Sequence, residues 1–307
     1  MKYESIHAIV NPASSGGEAG RRWPETQKRM SSVLKNFSFE LTSAPGDGER
    51  LASAAIHEGV QSIVVIGGDG TLSEVVNGVL HFSESQRPRI GIINHGTGGD
   101  FARTIGAPTD IQLVLEKILS ARDHAVDAGR ITFTNHQGVQ AKRYFVNVAG
   151  CGLAGEVVKA INSSSRRFGA FSYFSTSFTN AITYKNAKVR ISLDGGPETT
   201  ETITTLAICN GQFFGGGMQI APDASITDGL LDVTILGNWS LAQKVRYSRN
   251  LYNGTISHCY GVKTARVKTI RIEPDNLNPV LIDCDGEAVG KAPLTAEVMP
   301  GALRLIL

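Results

Sequence analysis

Three short stretches in the first hundred residues have the composition of an anion cradle. They are Asn11-Pro12-Ala13-Ser14-Ser15-Gly16-Gly17, Gly67-Gly68-Asp69-Gly70-Thr71 and Gly96-Thr97-Gly98-Gly99-Asp100-Phe101. Glycine lets a backbone N–H approach a phosphate oxygen closely and adopts conformations other residues avoid. A helix starting at the end of such a loop adds the positive end of its dipole. Serine and threonine hydroxyls can both give and accept hydrogen bonds. Asp69 and Asp100 have the chemistry to hold Mg²⁺ on a nucleotide, or to cap the helix that follows each loop. One such loop is ordinary punctuation, whereas three together point to the phosphates of a nucleotide. The loops are not a Walker A site, because Gly290-Lys291 is followed by Ala292. Gly150-Cys151-Gly152-Leu153-Ala154-Gly155 has the dinucleotide spacing, but no acidic residue stands about 20 positions later.

These loops need elements to carry them. Ile6–Val10, Phe37–Leu41, Ser62–Ile66 and Arg89–Ile93 are short runs rich in apolar or β-branched residues, and they predict strands. Residues 49–58, 71–82 and 110–120 predict helices between or after them. Alternation of this kind predicts a doubly wound parallel sheet, in which loops at the carboxyl ends of strands line one crevice. The second half reads differently. Arg143–Val148, Ala187–Leu193, Ile203–Cys209, Leu230–Leu236, Val262–Ile272 and Val280–Cys284 predict strands separated by turns, the pattern of an antiparallel β-sandwich. The expected fold class is α/β plus all-β, with an α/β nucleotide-binding domain over residues 1–130 and a sandwich over 131–307. The last strand could pack back on the first domain.

Composition narrows the function. A chain of 307 residues suits two domains, and 41% hydrophobic with 19% charged residues excludes a disordered or fibrous chain. A net charge of +2 gives no footing for nucleic-acid binding. Cys151, Cys209, Cys259 and Cys284 form no C-x-x-C pair and read as reduced, mostly buried thiols. The start of the chain lacks the apolar run of a signal peptide, and no stretch reaches the roughly 20 apolar residues of a membrane span. The expectation is a cytoplasmic protein that touches membranes transiently and from outside.

The ordered set of loops resembles the diacylglycerol kinase catalytic-domain superfamily, which includes sphingosine and ceramide kinases. It is most similar to the small soluble bacterial lipid kinases of that group. Asn11 to Gly16, Gly67-Gly68-Asp69-Gly70-Thr71-Leu72-Ser73-Glu74 and Gly96 to Arg103 carry the likeness in the first domain. Asn147 to Gly152, Asn210-Gly211, Pro222-Asp223-Ala224, Asp228 to Asp232 and Asp283-Cys284-Asp285-Gly286-Glu287 carry it in the second. The resemblance implies ATP as phosphate donor, contacted by Asn11, Pro12, Ser14, Ser15 and Gly16, by Thr42, by Gly67, Gly68, Asp69, Gly70, Thr71 and Glu74, and by Thr97. It implies Asp285 as general base across a cleft between the domains, with Glu287 as a partner. By spacing alone, Asp285-Gly286 also reads as a hairpin turn. It further implies a structural Mg²⁺ on Asp228 with the carbonyls of Ser225 and Leu230.

The implied acceptor is a lipid hydroxyl: diacylglycerol-like, phosphatidylglycerol, or a sphingoid or ceramide lipid, met at a membrane surface. A kinase of soluble substrates such as NAD, or a nucleotide-binding regulator without activity, is the alternative. A homodimer is compatible with either. Two positions depart from the pattern. Gly99 and Ser73 stand where the family usually has asparagine, so two side-chain amides near the nucleotide are missing. Residues 166–184 hold six aromatics beside Arg166 and Arg167, a composition suited to an acyl groove or to core packing. Residues 240–252 predict an amphipathic helix.

Overall fold

The structure, a computed structural model, describes residues 4–96, 98–108, 110–120, 122–163 and 184–307. The chain divides into two compact units, residues 1–126 with 301–307, and residues 127–300.

The first unit is built on strands β1 (Ile6–Val10), β2 (Phe37–Leu41), β3 (Ser62–Gly67) and β4 (Arg89–Asn94). Their order is β2-β1-β3-β4, all parallel. The final residues of a long strand, β17 (Glu287–Leu305), add a fifth parallel member beside β4 through Arg304 and Leu305. Parallel strands need covered faces, and their burial follows. All five residues of β1 and all six of β3 are buried. Ile6, Ala8, Val10, Val64, Ile66 and Ile93 share one core with Trp23, Met30 and Leu34 and with Val114, Leu115 and Ile118. Those partners belong to or flank α1 (Ser14–Val33) and α5 (Ile111–Leu119). Helices α2 (Asp47–His57) and α3 (Asp69–Leu80) pack on one another. They come so close that a side chain at Gly78 would meet the Glu49 carbonyl at 2.5 Å. A short α4 (Asp100–Thr104) follows the third loop. Helix α1 is not among the helices expected from the sequence, and it contains Gly16, Gly17 and Pro24, residues that disfavour helix. The structure places Ser15, Gly16 and Gly17 in left-handed backbone at its start and carries Pro24 within it.

The second unit is antiparallel. The strands are β5 (His124–Asn135), β6 (Gln140–Phe145), β7 (Val148–Gly152), β8 (Ala187–Leu193), β9 (Thr199–Ile203), β10 (Thr205–Cys209), β13 (Leu231–Leu236), β14 (Val262–Val267), β15 (Thr269–Pro274), β16 (Leu281–Cys284) and β17. A minor hairpin pairs β11 (Phe213–Phe214) with β12 (Met218–Gln219). One path runs β14-β13-β10-β7-β16-β17, and another continues β17-β15-β8-β9. Inward residues of these strands, among them Ile131, Phe145, Ile208, Leu231, Ile270 and Ile282, form one apolar core. The unit also carries helices α6 (Leu153–Ser163) and α7 (Leu241–Tyr252).

Three expected strands are corrected. Ile203–Cys209 takes the last residue of β9 and, past Thr204, the whole of β10, and these two join different neighbours. Val262–Ile272 is two strands, β14 and β15, which join different neighbours. Arg143–Val148 is interrupted at Val146 and Asn147, whose backbone N–H groups turn to the Asp285 carboxylate.

Candidate active site

The three glycine loops leave β1, β3 and β4 at their carboxyl ends. They touch one another through backbone. A Cβ on Gly96 would sit 2.6 Å from the Gly68 Cα, and one on Gly68 would sit 3.0 Å from the Gly96 Cα. Only glycine at both positions permits that approach. The first loop is pinned to the same point. The hydroxyls of Ser14 and Ser15 both donate to the His95 carbonyl, Ser14 at 3.3 Å. The Asn11 amide donates to the Thr71 hydroxyl at 3.0 Å, while its carbonyl accepts from Ala13 N at 3.0 Å. Gly20 lies against Pro12, whose carbonyl would be 2.9 Å from a side chain there. Asn11, Pro12, Ser14, Ser15, Gly16, Gly67, Gly68, Gly70 and Thr71 are thereby gathered around the N-terminus of α3. Thr42, at the end of β2, is tied to β1 through its N–H to the Val10 carbonyl at 2.8 Å. Thr97 lies outside the described residues.

The carboxylates of this unit have protein partners. Asp69 accepts from Asp100 N at 3.0 Å and Phe101 N at 3.3 Å. It therefore caps α4, across the loops, where the sequence suggested the helix directly after it. Burial pushes the Asp69 carboxyl above the usual range against these two bonds, and the neighbouring Asp100 adds to the rise. Asp100 is buried and pairs with Arg103 at 2.8 Å. Glu74 accepts from Gly46 N at 2.9 Å and Gly48 N at 2.8 Å, so it caps α2. Burial lowers the His95 imidazole below its ordinary value, helped by Arg22.

In the second unit, β16 and β17 are joined by Asp285 and Gly286, with φ of 48° and 83°. Two positive φ values in a two-residue loop are the signature of a type I′ hairpin, so the turn reading of Asp-Gly holds. The Asp285 side chain does more than turn the chain. It accepts from Val146 N at 2.9 Å, Asn147 N at 3.1 Å and Val148 N at 3.0 Å. Glu287 pairs with Arg143 at 2.6 Å. Asp283 is buried beside them and accepts from Gly286 N at 2.8 Å. Burial pushes its carboxyl up to about 8, and the Gly286 bond opposes that rise.

The loop around Asp228 is also occupied by protein groups. Asp228 accepts from Leu230 N at 3.0 Å and is ion-paired with Arg266. Gly229 N donates to the buried Asp127 at 2.7 Å. Ser225 hydrogen-bonds Thr227 at 3.4 Å. Among the described residues no group of three acidic, histidine or cysteine side chains is arranged to hold a metal ion. Asn94 and His95, which tie the loops together, carry no motif of their own. Only the structure brings them forward.

Two family models divide the chain between them. Residues 5–131 match the diacylglycerol kinase catalytic domain, and residues 147–307 match the YegS C-terminal NAD kinase beta sandwich-like domain. The chain belongs to the diacylglycerol kinase family of YegS type. A relative from Stenotrophomonas maltophilia named "Probable lipid kinase YegS-like" is 31% identical over 277 residues, covering 88% of this chain and 86% of its own. A diacylglycerol kinase of Mycobacterium tuberculosis is 28% identical, covering 98% of this chain and 94% of its own. Among solved structures, a diacylglycerol kinase from Bacillus anthracis shares the fold with a TM-score of 0.74 at 22% identity, covering 100% and 97% of the two chains. A yeast NADH kinase is more distant, with a TM-score of 0.57 at 12% identity over 99% and 83%. Membership of this family makes the chain a kinase. No helix among the described residues is long and apolar enough to cross a membrane.

Proposed function

We propose that this kinase transfers the γ-phosphate of ATP to the hydroxyl of a lipid, diacylglycerol-like, phosphatidylglycerol, or sphingoid or ceramide. The observation that carries the reading is the backbone-to-backbone meeting of the glycine loops at Gly68 and Gly96, with Ser14 and Ser15 pinned against it. Phosphoryl transfer asks a protein mainly for positioning and charge stabilisation. The loop Asn11 to Gly16, through the N–H groups of Ser15 and Gly16, and the loop Gly67 to Thr71, at the positive end of α3, suit the phosphates. Thr42 and Thr97 would add contacts to the nucleotide.

Asp285 is the proposed acceptor of the hydroxyl proton, with Glu287 as its neighbour. Its three backbone bonds fix where the carboxylate points. For Mg²⁺ the donors fit poorly. Asp69 and Asp100 are engaged with α4 and Arg103, and Asp228 is engaged with Leu230 and Arg266. Mg²⁺ arriving with ATP would be carried by the nucleotide phosphates. Transient contact with a membrane would fall on α7, whose exposed Leu241, Val245 and Tyr252 adjoin exposed Arg246 and Arg249. Sedimentation with anionic vesicles tests that contact. The aromatic stretch of residues 166–184 lies, apart from Tyr184, outside the described residues.

The deciding experiment offers labelled ATP with a panel of lipids in mixed micelles, with NAD included and Asp285→Asn as control. Labelled lipid that disappears in the variant, with its circular dichroism unchanged, supports the reading. Labelled NAD alone would overturn the lipid acceptor. Bound ATP without transfer to any acceptor would favour a regulator.

A further inference from the structure

Gly99 is buried and left-handed, with φ +60°, and its missing side chain has a specific neighbour. A Cβ there would overlap the Asn94 Nδ2, with the Asn94 side-chain carbon at 3.5 Å. The amide of Asn94 therefore fills the volume into which a side chain at 99 would project. Asn94 is the last residue of β4, at the mouth of the third loop. Its Oδ1 accepts from Gly96 N at 2.9 Å. That bond settles which end of the amide faces which way, since a donor facing Gly96 N would be repelled. The Nδ2 is left as a donor on the other side, directed under Gly99, and among the described residues no hydrogen bond to a protein group engages it. The half-buried Asn94 thus presents an oriented amide donor within a loop that touches the Gly68 backbone.

We propose that Asn94 is a nucleotide-binding residue, its Nδ2 donating to an oxygen of bound nucleotide and supplying from β4 the amide that position 99 lacks. The proposal rests on the nucleotide reading of the loops, not on which lipid is the acceptor. It also explains Gly99: with Asn94 in place, any side chain at 99 competes for the same space. The two positions should behave as one exchangeable unit.

The test measures ATP binding by calorimetry with no acceptor present, and melting temperature alongside. Asn94→Ala should weaken ATP about tenfold, the usual worth of a hydrogen bond to a charged group. Asn94→Asp keeps the acceptor for Gly96 N but replaces the donor with a negative charge. In EDTA, which stops a metal bridging the new carboxylate, it should weaken ATP at least as much. Gly99→Asn alone should bind poorly, and Asn94→Ala with Gly99→Asn should recover most of the wild-type affinity, a coupling larger than the sum of the single changes predicts. Wild-type affinity in Asn94→Ala or in Asn94→Asp would overturn the proposal. So would a double variant no better than its singles. If the wild type binds no ATP, the nucleotide reading falls and this inference falls with it. If ATP binds as expected but no lipid is labelled, only the acceptor assignment falls.

Discussion

Gly96 and Gly68 meet with no side chain between them, so one added methyl group at either must push two loops apart. Gly96→Ala would place a Cβ 2.6 Å from the Gly68 Cα. Overpacking of this kind costs about 1–3 kcal/mol. The variant should lose that stability in urea titration and most of its phosphoryl transfer. Gly70 offers the contrast, because a Cβ there meets nothing within 4 Å. Gly70→Ala lies inside α3 and should be neutral or slightly stabilising in the same titration. Asp283 gives a prediction in pH. Its carboxyl, ordinarily near 3.8, is pushed up to about 8 by burial. A raised acid favours the folded state fully only below its unfolded value, and that advantage fades as pH rises towards 8. The wild type should therefore lose stability between pH 4 and 8, by up to about 1.4 kcal/mol per unit. Asp283→Asn keeps an oxygen for Gly286 N and removes the titration. Its advantage over the wild type in chemical denaturation should be small at pH 5 and larger at pH 8.

The helices of the first unit are capped from a distance. Glu74, on α3, satisfies the opening N–H groups of α2, and Asp69, at the start of α3, satisfies those of α4. Both carboxylates sit in the stretch that the sequence assigns to phosphate contact, yet their observed partners are backbone. Glu74→Ala should cost about 1–2 kcal/mol, the range for a lost cap, and Glu74→Gln about half of that because it keeps one acceptor. Melting curves of the two variants check the order. Such caps were not legible in the sequence. Glu74 and its partners are 26 and 28 positions apart, and Asp69 and its partners 31 and 32, with no local spacing to reveal them. The parallel strands and the three loops were legible, because glycine clusters and β-branched runs express local demands. The hairpin at Asp285-Gly286 was legible for the same reason. The hold of Asp285 on Val146, Asn147 and Val148 was not, and it broke an expected strand in two.

At the scale of the molecule, the first unit is made of two separated pieces of chain. Residues 301–307 complete it beside β4. Leu303, Leu305 and Ile306 are buried there, the Ile306 N–H bonds the Ile90 carbonyl at 2.9 Å, and Arg87 bonds the Ala302 carbonyl at 3.0 Å. Burying each of those three side chains is worth roughly 1.5–3 kcal/mol. Truncation after Pro300 should therefore leave the nucleotide unit poorly folded, with ATP binding and solubility both lost. The antiparallel unit should keep its far-UV circular dichroism signature. This discontinuity has a consequence for biogenesis. A ribosome delivers residues 1–126 first, but their sheet lacks its closing strand until the whole of 127–300 has been synthesised. At about 5–20 residues per second, that interval lasts roughly 10–30 seconds. During it, β4 offers an open edge of the kind that recruits chaperones or stray strands. Newly made chains would thus gain the ability to hold nucleotide late, only after the antiparallel unit has had time to form.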